Sequence, residues 1–390
     1  MLYKRLSGIW RGFILFKEWL NKIEARITRI SGQDYIPGLF SLEWVLVGLS
    51  RLYGLGAGFR LRLYDKNILR SKELPCFVVS IGNIVAGGTG KTPMTLYTVE
   101  LLKKIGKKPV VVSRGYGGNY KEDSVMVSDG HRVFSTAEES GDEPFMMAGQ
   151  RLCPVVVGKD RFRAGMKALD SLDPRPEVIV LDDGFQHVKL KRDLDILLFD
   201  FKNPLGNGRL LPAGRLRERP ESSGKRADVI VFTRCSEHNH HQGEALLQFY
   251  PGCPFFKTVH QPYILRWMKK EKIQPEFESD MAALKGKTAI LFSGLADNSA
   301  FYASTAGYGI NILHHLEFKD HHRYKTSDFL RINRAAAEKE ADLILTTEKD
   351  GVKIDRNIKW VTDFLVIAIR IRFEDPEKFE DFLISKMEKQ

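Results

Sequence analysis

A short glycine-rich segment carries the residue types that bind nucleoside phosphates. Gly87-Gly88-Thr89-Gly90-Lys91-Thr92 follows an apolar run and precedes Pro93. Glycines let backbone N–H groups turn toward phosphate oxygens, and a helix that begins here adds partial positive charge. Lys91 would contact the β- and γ-phosphates, and the Thr92 hydroxyl would ligate Mg²⁺. We therefore predict that ATP is bound by Val85, Ala86, Gly87, Gly88, Thr89, Gly90, Lys91 and Thr92.

The loop departs from the standard phosphate-binding pattern at one position. That pattern has a glycine where this chain has Val85. The segment resembles the Gly-Gly-x-Gly-Lys-Thr variant of partition-type ATPases, although Ala86 replaces their signature lysine. A membrane-associated ATPase of that type is therefore the main alternative function.

A pair of carboxylates follows a second apolar run. Val178–Leu181 is rich in β-branched residues and leads directly into Asp182 and Asp183. A buried strand that ends in an acid projects it toward the metal ion held by the phosphate-loop threonine. We assign Asp182 to the Mg²⁺ ligands, with Asp183 as a nearly equal candidate.

Two polar segments and three arginines could complete a site for phosphoryl transfer. Ser140–Pro144 carries the adjacent acids Asp142 and Glu143, although its composition alone favours a surface turn. Asp320-His321-His322 could supply an imidazole that tunes a catalytic acid. Planar guanidinium groups suit an anionic substrate or the transferred phosphoryl group. The candidates are Arg114, Arg215 and Arg217.

Alternating strand and helix patterns would position these residues. From residue 75, β-branched apolar runs alternate with segments able to form helices, which predicts a mostly parallel sheet flanked by helices, of the P-loop NTPase type. A mixed, lysine-rich stretch at Pro262–Pro275 is predicted to be a connector, and further runs after it predict a second, smaller α/β domain. The predicted domains are residues 1–70, 71–264 and 265–390. The predicted strands are 76–81, 109–113, 154–157, 178–181, 196–199, 229–232, 289–292, 310–313, 343–345 and 364–369.

The N-terminal 70 residues are predicted to form amphipathic helices. Large apolar residues between Ile9 and Ile30 recur at steps of three and four, flanked mainly by lysine and arginine, and a second apolar segment covers 39–55. Such basic helices suit the surface of a membrane. Packing on the protein's own core is the alternative.

The composition indicates a folded protein with an anionic partner. The 390 residues carry a formal net charge of +11, which favours a nucleotide, nucleic acid or acidic membrane surface. No signal peptide and no membrane-spanning segment are expected, and four scattered cysteines favour a reducing compartment. We therefore expect a cytoplasmic protein.

Taken together, these segments resemble the tetraacyldisaccharide 4′-kinase family of lipid A biosynthesis. The matching stretches run in order from about residue 40 to 353, and jointly they are highly specific. They are Ile81–Ile84 with Gly87–Pro93, Ser113–Gly117, Gly141–Pro144, Leu181–His187, Gly208–Gly214, Phe292–Ala296, Asp320–His322 and Thr346–Asp350.

The resemblance implies a reaction and a set of site residues. The enzyme would transfer the γ-phosphoryl group of ATP to the 4′-hydroxyl of a tetraacylated glucosamine disaccharide 1-phosphate at the cytoplasmic face of the inner membrane. Asp142 would be the catalytic acid-base group, assisted by His321, with Lys91 as the third catalytic residue and Glu143 in the metal environment. The residues predicted to contact the substrate or the phosphoryl group are Asn83, Arg114, Gln186, His187 and Arg217. We expect a monomer that binds no nucleic acid.

Overall fold

The computed structural model describes residues 38, 41–235, 243–269, 272–273, 279–355 and 357–388. The fold is α/β, with a mostly parallel arrangement of strands and helices on their faces. The helices, α1 to α10, are Leu42–Asp65, Lys91–Lys104, Ala137–Ser140, Asp142–Gly149, Arg161–Ser171, Pro220–Ser223, Asn298–Ala306, Thr326–Glu338, Glu348–Gly351 and Pro376–Glu388, with 3₁₀ turns at Glu244–Phe249 and Met281–Leu284.

The strands carry the buried apolar runs. In chain order, β1 to β14 are Phe77–Gly82, Pro109–Ser113, Ser124–Ser128, Val155–Gly158, Val178–Asp182, Leu194–Asp200, Val229–Thr233, Phe255–Lys269, Lys272–Ile273, Ser279–Asp280, Thr288–Ser293, Asn311–Glu317, Leu343–Thr347 and Asp363–Phe373. The α/β class and the flanked, mostly parallel sheet predicted from the sequence are confirmed.

The described chain forms two compact units. The first contains 41–71, 82–89, 195–235 and 243–256, and the second contains 72–81, 90–194 and the described residues from 257 onward. The domain boundaries predicted at 70 and 264 stay predictions. The predicted helix at 9–30 lies outside the described residues.

One sheet of the second unit has the order β1-β5-β2-β4-β3. The first four strands are parallel, and β3 is antiparallel to β4. Every residue of β1, β2, β4 and β5 is buried, as expected for parallel strands covered on both faces. The carboxyl ends of β2 and β5 therefore place Ser113 and Asp182 at the same edge of the sheet.

The other sheet of the second unit has the order β12-β11-β13-β14-β8. The connector prediction for Pro262–Pro275 is wrong over 262–269, because these residues belong to β8, which pairs antiparallel with β14. Most residues of β8 are only half-buried, and polar residues such as Lys257 and His260 interrupt the apolar ones, so the strand lacks the continuous buried apolar run of a parallel strand. Arg370 of β14 covers the ring of Tyr263, with 4.4 Å from the guanidinium carbon to the ring centroid.

Helix α2 joins both sheets within the second unit. Its Tyr97 ring lies 4.8 Å from that of Phe373 at the end of β14, and Lys104 forms a 2.7 Å ion pair with Glu380 of α10. The helix that follows the phosphate loop is therefore packed on the C-terminal part of the chain.

In the first unit, helix α1 packs one face against the segment 210–217. Leu46 contacts Ala213 in a small core, the Ser50 hydroxyl donates to Leu210 O at 2.9 Å, and the Tyr53 hydroxyl donates to Arg217 O at 2.9 Å. Strands β6 and β7 pair in parallel in the same unit. Among the described residues, no helix combines the length and the apolar character needed to cross a bilayer.

Candidate functional site

The phosphate-loop lysine opens helix α2. Gly90 precedes it with a φ of 81°, a left-handed conformation that glycine adopts without strain. Lys91 Nζ lies 3.8 Å from Asp183 Oδ1, and Thr92 in the first turn is buried. The sequence-predicted lysine and one of the two predicted metal-binding acids are thus brought together.

The preceding part of the loop, residues 83–89, is held inside the first unit. Asn83 Nδ2 donates to Val85 O at 2.6 Å and to Thr89 Oγ1 at 2.8 Å. Ala86 N donates to Arg215 O, and Arg217 N donates to Ile84 O, each at 2.7 Å. Hydrogen bonds from the Asn83 side chain and with the backbone of Arg215 and Arg217 therefore hold the loop backbone in place.

Asp182 is a buried carboxylate held by hydroxyl groups. Ser113 Oγ donates to its Oδ2 at 3.1 Å, and Thr95 Oγ1 donates to its Oδ1 at 3.3 Å. Burial, together with the carboxylates of Glu143 and Asp183, raises the pKa of Asp182 to about 7, against the opposing effect of Lys91. Three acids therefore share one neighbourhood.

Asp142 is the first residue of helix α4 and contacts His321. The His321 Nδ1 atom lies 2.9 Å from Asp142 Oδ2. His321 follows β12 and has a φ of 57°. This left-handed backbone conformation, which is uncommon for residues other than glycine, sets the direction of its ring. Two of the three residues that were predicted to be catalytic are therefore adjacent.

Glycine packing sets the start of α4. A Cβ on Gly118 would lie 2.4 Å from Glu139 O, and one on Gly141 would lie 2.5 Å from Tyr116 O. The turn at 115–118 thus lies against the backbone that leads into Asp142. The glycine-rich motif after Ser113 therefore has a positioning role, which the sequence analysis did not recognise.

Two lysines that the sequence analysis did not select complete the surroundings of Asp142. Lys353 Nζ lies 3.0 Å from Asp142 Oδ2. Lys349 Nζ donates to Asp320 Oδ1 at 2.8 Å and lies 3.4 Å from His321 Nε2. Lys349 lies in helix α9, after β13, and Lys353 follows that helix. In the sequence, only the family motif at 346–350 marked this segment.

The remaining predicted substrate-binding residues lie on two loops of the second unit. Arg114 is exposed, directly after β2, and its carbonyl accepts from Tyr120. Gln186 and His187 are half-buried after β5. Burial lowers the pKa of His187 to about 4, and nearby Arg161 adds to this effect. His187 is therefore a neutral imidazole at physiological pH.

Arg161 is a further buried cation beside the acids. Its guanidinium donates to Lys159 O at 3.1 Å, and its Nε lies buried without a hydrogen-bond partner among the described residues. Burial and Arg114 lower the pKa of Arg161, whereas Asp183 and Asp182 oppose this shift. A lone arginine in the sequence gave no signal for this placement.

Comparison with known proteins gives one consistent family. The family model described as tetraacyldisaccharide-1-P 4′-kinase matches residues 42–388. A protein of Syntrophus aciditrophicus named tetraacyldisaccharide 4′-kinase is 38% identical over 349 residues, covering 87% of this chain and 91% of that protein. One of the same name from Desulfatibacillum aliphaticivorans is 36% identical over 375 residues, covering 95% and 99%.

A solved structure agrees with these matches. The crystal structure of LpxK from Aquifex aeolicus in complex with ATP has a TM-score of 0.71 and 33% sequence identity to this chain. The match covers 89% of this chain and 99% of the other.

Proposed function

This chain belongs to the tetraacyldisaccharide 4′-kinase family, and from that membership we propose how its residues carry out the reaction. It is an ATP-dependent phosphotransferase of lipid A biosynthesis with an alcohol group as acceptor. We propose the 4′-hydroxyl of a tetraacylated glucosamine disaccharide 1-phosphate as that acceptor. The two carboxylates Asp142 and Asp182 then have separate tasks.

We propose that residues 85–92 bind the phosphates of ATP. The glycine at position 90 and the start of helix α2 at Lys91 support this assignment, because backbone N–H groups at a helix N-terminus bind anions. The Lys91 ammonium group would offset charge on the phosphoryl oxygens in the transition state. Asn83 would support this loop through its two hydrogen bonds.

The acids around Asp182 fit a magnesium ion bound together with ATP. Among the described residues, no group of three or more His, Cys, Asp or Glu side chains is arranged to hold a metal ion. Kinase Mg²⁺ is bound by one or two carboxylates plus phosphate oxygens and water, so such a cage is not needed. We propose Asp182 and Thr92 as ligands, with Asp183 and Glu143 nearby, and the ion would neutralise phosphate charge.

Asp142 is proposed as the general base for the acceptor hydroxyl. Its contact with His321 Nδ1 at 2.9 Å is the single observation that carries this role, since a catalytic base needs a group that orients it. Arg114, Gln186 and His187 lie on the loops after β2 and β5. We propose these three residues and Arg217 as contacts for the substrate or the transferred phosphoryl group.

The exposed face of α1 is proposed to dock on the membrane that holds the lipid substrate. Large apolar side chains follow one stripe of the helix, with Leu52 at 65% and Leu55 at 71% exposure. The other members of the stripe are Val45, Leu49 and Phe59. Arg51, Arg60 and Arg62 lie on the same helix and suit anionic headgroups.

Cosedimentation with anionic vesicles tests this docking. The fraction of protein bound to the vesicles should fall in the double variant Leu52→Glu/Leu55→Glu, and equal binding would contradict this proposal.

A transfer assay tests the proposed reaction. Labelled ATP and a tetraacyldisaccharide 1-phosphate should give a product phosphorylated at the 4′-position, and ATP turnover should require the acceptor. Asp142→Ala should bind ATP but turn over at least about 10²-fold more slowly, the usual scale for a positioned base. Acceptor-independent ATP hydrolysis would instead favour a partition-type ATPase.

A further inference from the structure

Lys353 is anchored against Asp142 by a second, buried acid. Its side chain is 10% exposed, with Nζ 3.0 Å from Asp142 Oδ2 and 3.7 Å from Asp350 Oδ1. Asp350 is fully buried, and its Oδ2 accepts from Gly294 N at 2.9 Å and from Thr347 Oγ1 at 2.8 Å. The ammonium group is therefore held between a fixed structural carboxylate and the proposed base.

The surroundings of His321 determine which of its nitrogen atoms carries a proton. Lys349 Nζ lies 3.4 Å from Nε2, and an ammonium group can only donate. Nε2 therefore accepts, and Nδ1 is the ring nitrogen that carries a proton. It follows that Nδ1 donates to Asp142 Oδ2 across the 2.9 Å contact.

The two oxygens of Asp142 are consequently unlike. Oδ2 forms an ion pair with Lys353 Nζ, which is buried and makes no hydrogen bond among the described residues, and it accepts from His321 Nδ1. Oδ1 has no hydrogen-bond partner within the ranges that the structure describes. The Asp142 side chain is 17% exposed. A carboxylate fixed through one oxygen presents the other in a defined direction.

We propose that Lys353 is a positioning residue that, together with His321, fixes Oδ2 of Asp142 so that Oδ1 faces the acceptor hydroxyl. The inference deepens the proposed function and rests on Asp142 being the base. In the transfer step, the hydroxyl oxygen forms a bond to the γ-phosphorus while its proton passes to Oδ1. The bond from that phosphorus to the β–γ bridging oxygen breaks, and ADP leaves with the electron pair.

The effect should appear in kcat and leave ATP binding unchanged. A misplacement of about 1 Å costs on the order of 10²-fold in rate, so Lys353→Met should lower kcat by about 10- to 100-fold with KM for ATP unchanged. Lys353→Arg, which restores the positive charge, should recover most of the rate. In a double-mutant cycle with His321→Ala, the two losses should be less than additive, because both residues act through Oδ2.

Companion variants separate the ways in which the inference could fail. Lys353→Met leaves Asp350 buried without its cation, so Lys353→Met/Asp350→Asn removes both charges and should fold with the same loss of kcat. Wild-type kcat in that double variant, or a parallel rise in KM for ATP, would overturn the positioning role. Asp142→Asn is the reference. If it stays active, the proposed base is wrong; if it is inactive while Lys353→Met is normal, only the Lys353 inference fails.

Discussion

Asp142 and Asp182 are two carboxylates of the same unit with opposite electrostatic surroundings. Asp142 lies against the ammonium group of Lys353 and the ring of His321. The Asp182 carboxylate accepts hydrogen bonds from the hydroxyls of Ser113 and Thr95. Burial raises the pKa of Asp182, and the carboxylates of Glu143 and Asp183 raise it further. Asp142 is thus paired with a cation that the protein supplies, whereas Asp182 has two further carboxylates close by, offset only in part by Lys91.

The difference indicates what each acid still requires. Hydroxyl groups orient a carboxylate without neutralising it, so the cluster around Asp182 gains most from a ligand that brings positive charge. Asp142 already has a cationic partner and gains little from a metal ion, but its Oδ1 can accept a proton. We therefore expect that the different partners of the two aspartates separate metal binding from proton transfer.

The largest expected effect is on turnover in Asp142→Asn. The amide keeps the shape of the side chain but cannot accept the hydroxyl proton, so kcat should fall by about 10²- to 10⁴-fold. The dissociation constants of ATP and Mg²⁺ should stay close to those of the parent. Single-turnover kinetics with saturating ATP and direct nucleotide-binding measurements would check both parts.

Asp182→Asn is the matched control for that contrast. If Asp142→Asn weakened Mg²⁺ binding as strongly as Asp182→Asn does, the two acids would not have separate tasks. Equal loss of kcat in both at saturating Mg²⁺ would lead to the same conclusion.

The next effect in size is on metal dependence in Asp182→Asn. Removing one proposed ligand should raise the Mg²⁺ concentration for half-maximal activity by about 10- to 100-fold. A titration of activity against Mg²⁺ at fixed ATP would measure this shift. An unchanged Mg²⁺ requirement would contradict the assignment of Asp182 to the metal.

The same substitution should stabilise the metal-free protein at alkaline pH. Burial raises the pKa of Asp182 from 3.8 to about 7, so the folded state resists ionisation and its stability falls as the pH rises through 7. At pH 8 with EDTA, Asp182→Asn should therefore unfold at higher urea concentration than the parent. Asp142→Asn should unfold at lower concentration, because it removes one of the two carboxylates that pair with the buried Lys353.

Local sequence was enough to predict much of the fold and several of the acids. Strands of the parallel sheets bury continuous apolar runs, and Pro109–Ser113 was predicted with the bounds that the structure shows. Strand β8 was missed because polar residues interrupt its apolar ones and its pairing partner β14 is far along the chain. Local periodicity carries no information about such a partner.

The site was predictable only where a motif marked it. Asp142, His321 and Lys91 stand in recognisable segments, and the structure places the first two 2.9 Å apart. Lys353 has no local signature, because a lysine after a short helix is most often solvated. Its contact with Asp142 is a product of tertiary folding alone.

The smallest expected effect concerns a third buried acid, Glu348, which tests whether burial without neighbouring carboxylates is enough to raise a pKa as at Asp182. Gln150 donates to its carboxylate, and burial raises the pKa of Glu348 from 4.5 to about 7. Glu348→Gln keeps the shape and removes the ionisation. The folded parent holds a proton that the unfolded chain has lost between pH 4.5 and 7, so its stability is full below that window and falls across it. The free energy of unfolding of the variant relative to the parent should therefore increase by about 2 kcal/mol from pH 5 to pH 8, as measured by urea denaturation.

Glu122, an exposed acid that is ion-paired with Lys167, provides the control. Glu122→Gln should show almost no such change. A constant difference for Glu348→Gln would mean that Arg266, which lowers the pKa of Glu348, compensates its charge. Burial alone would then not explain the raised pKa of an acid such as Asp182.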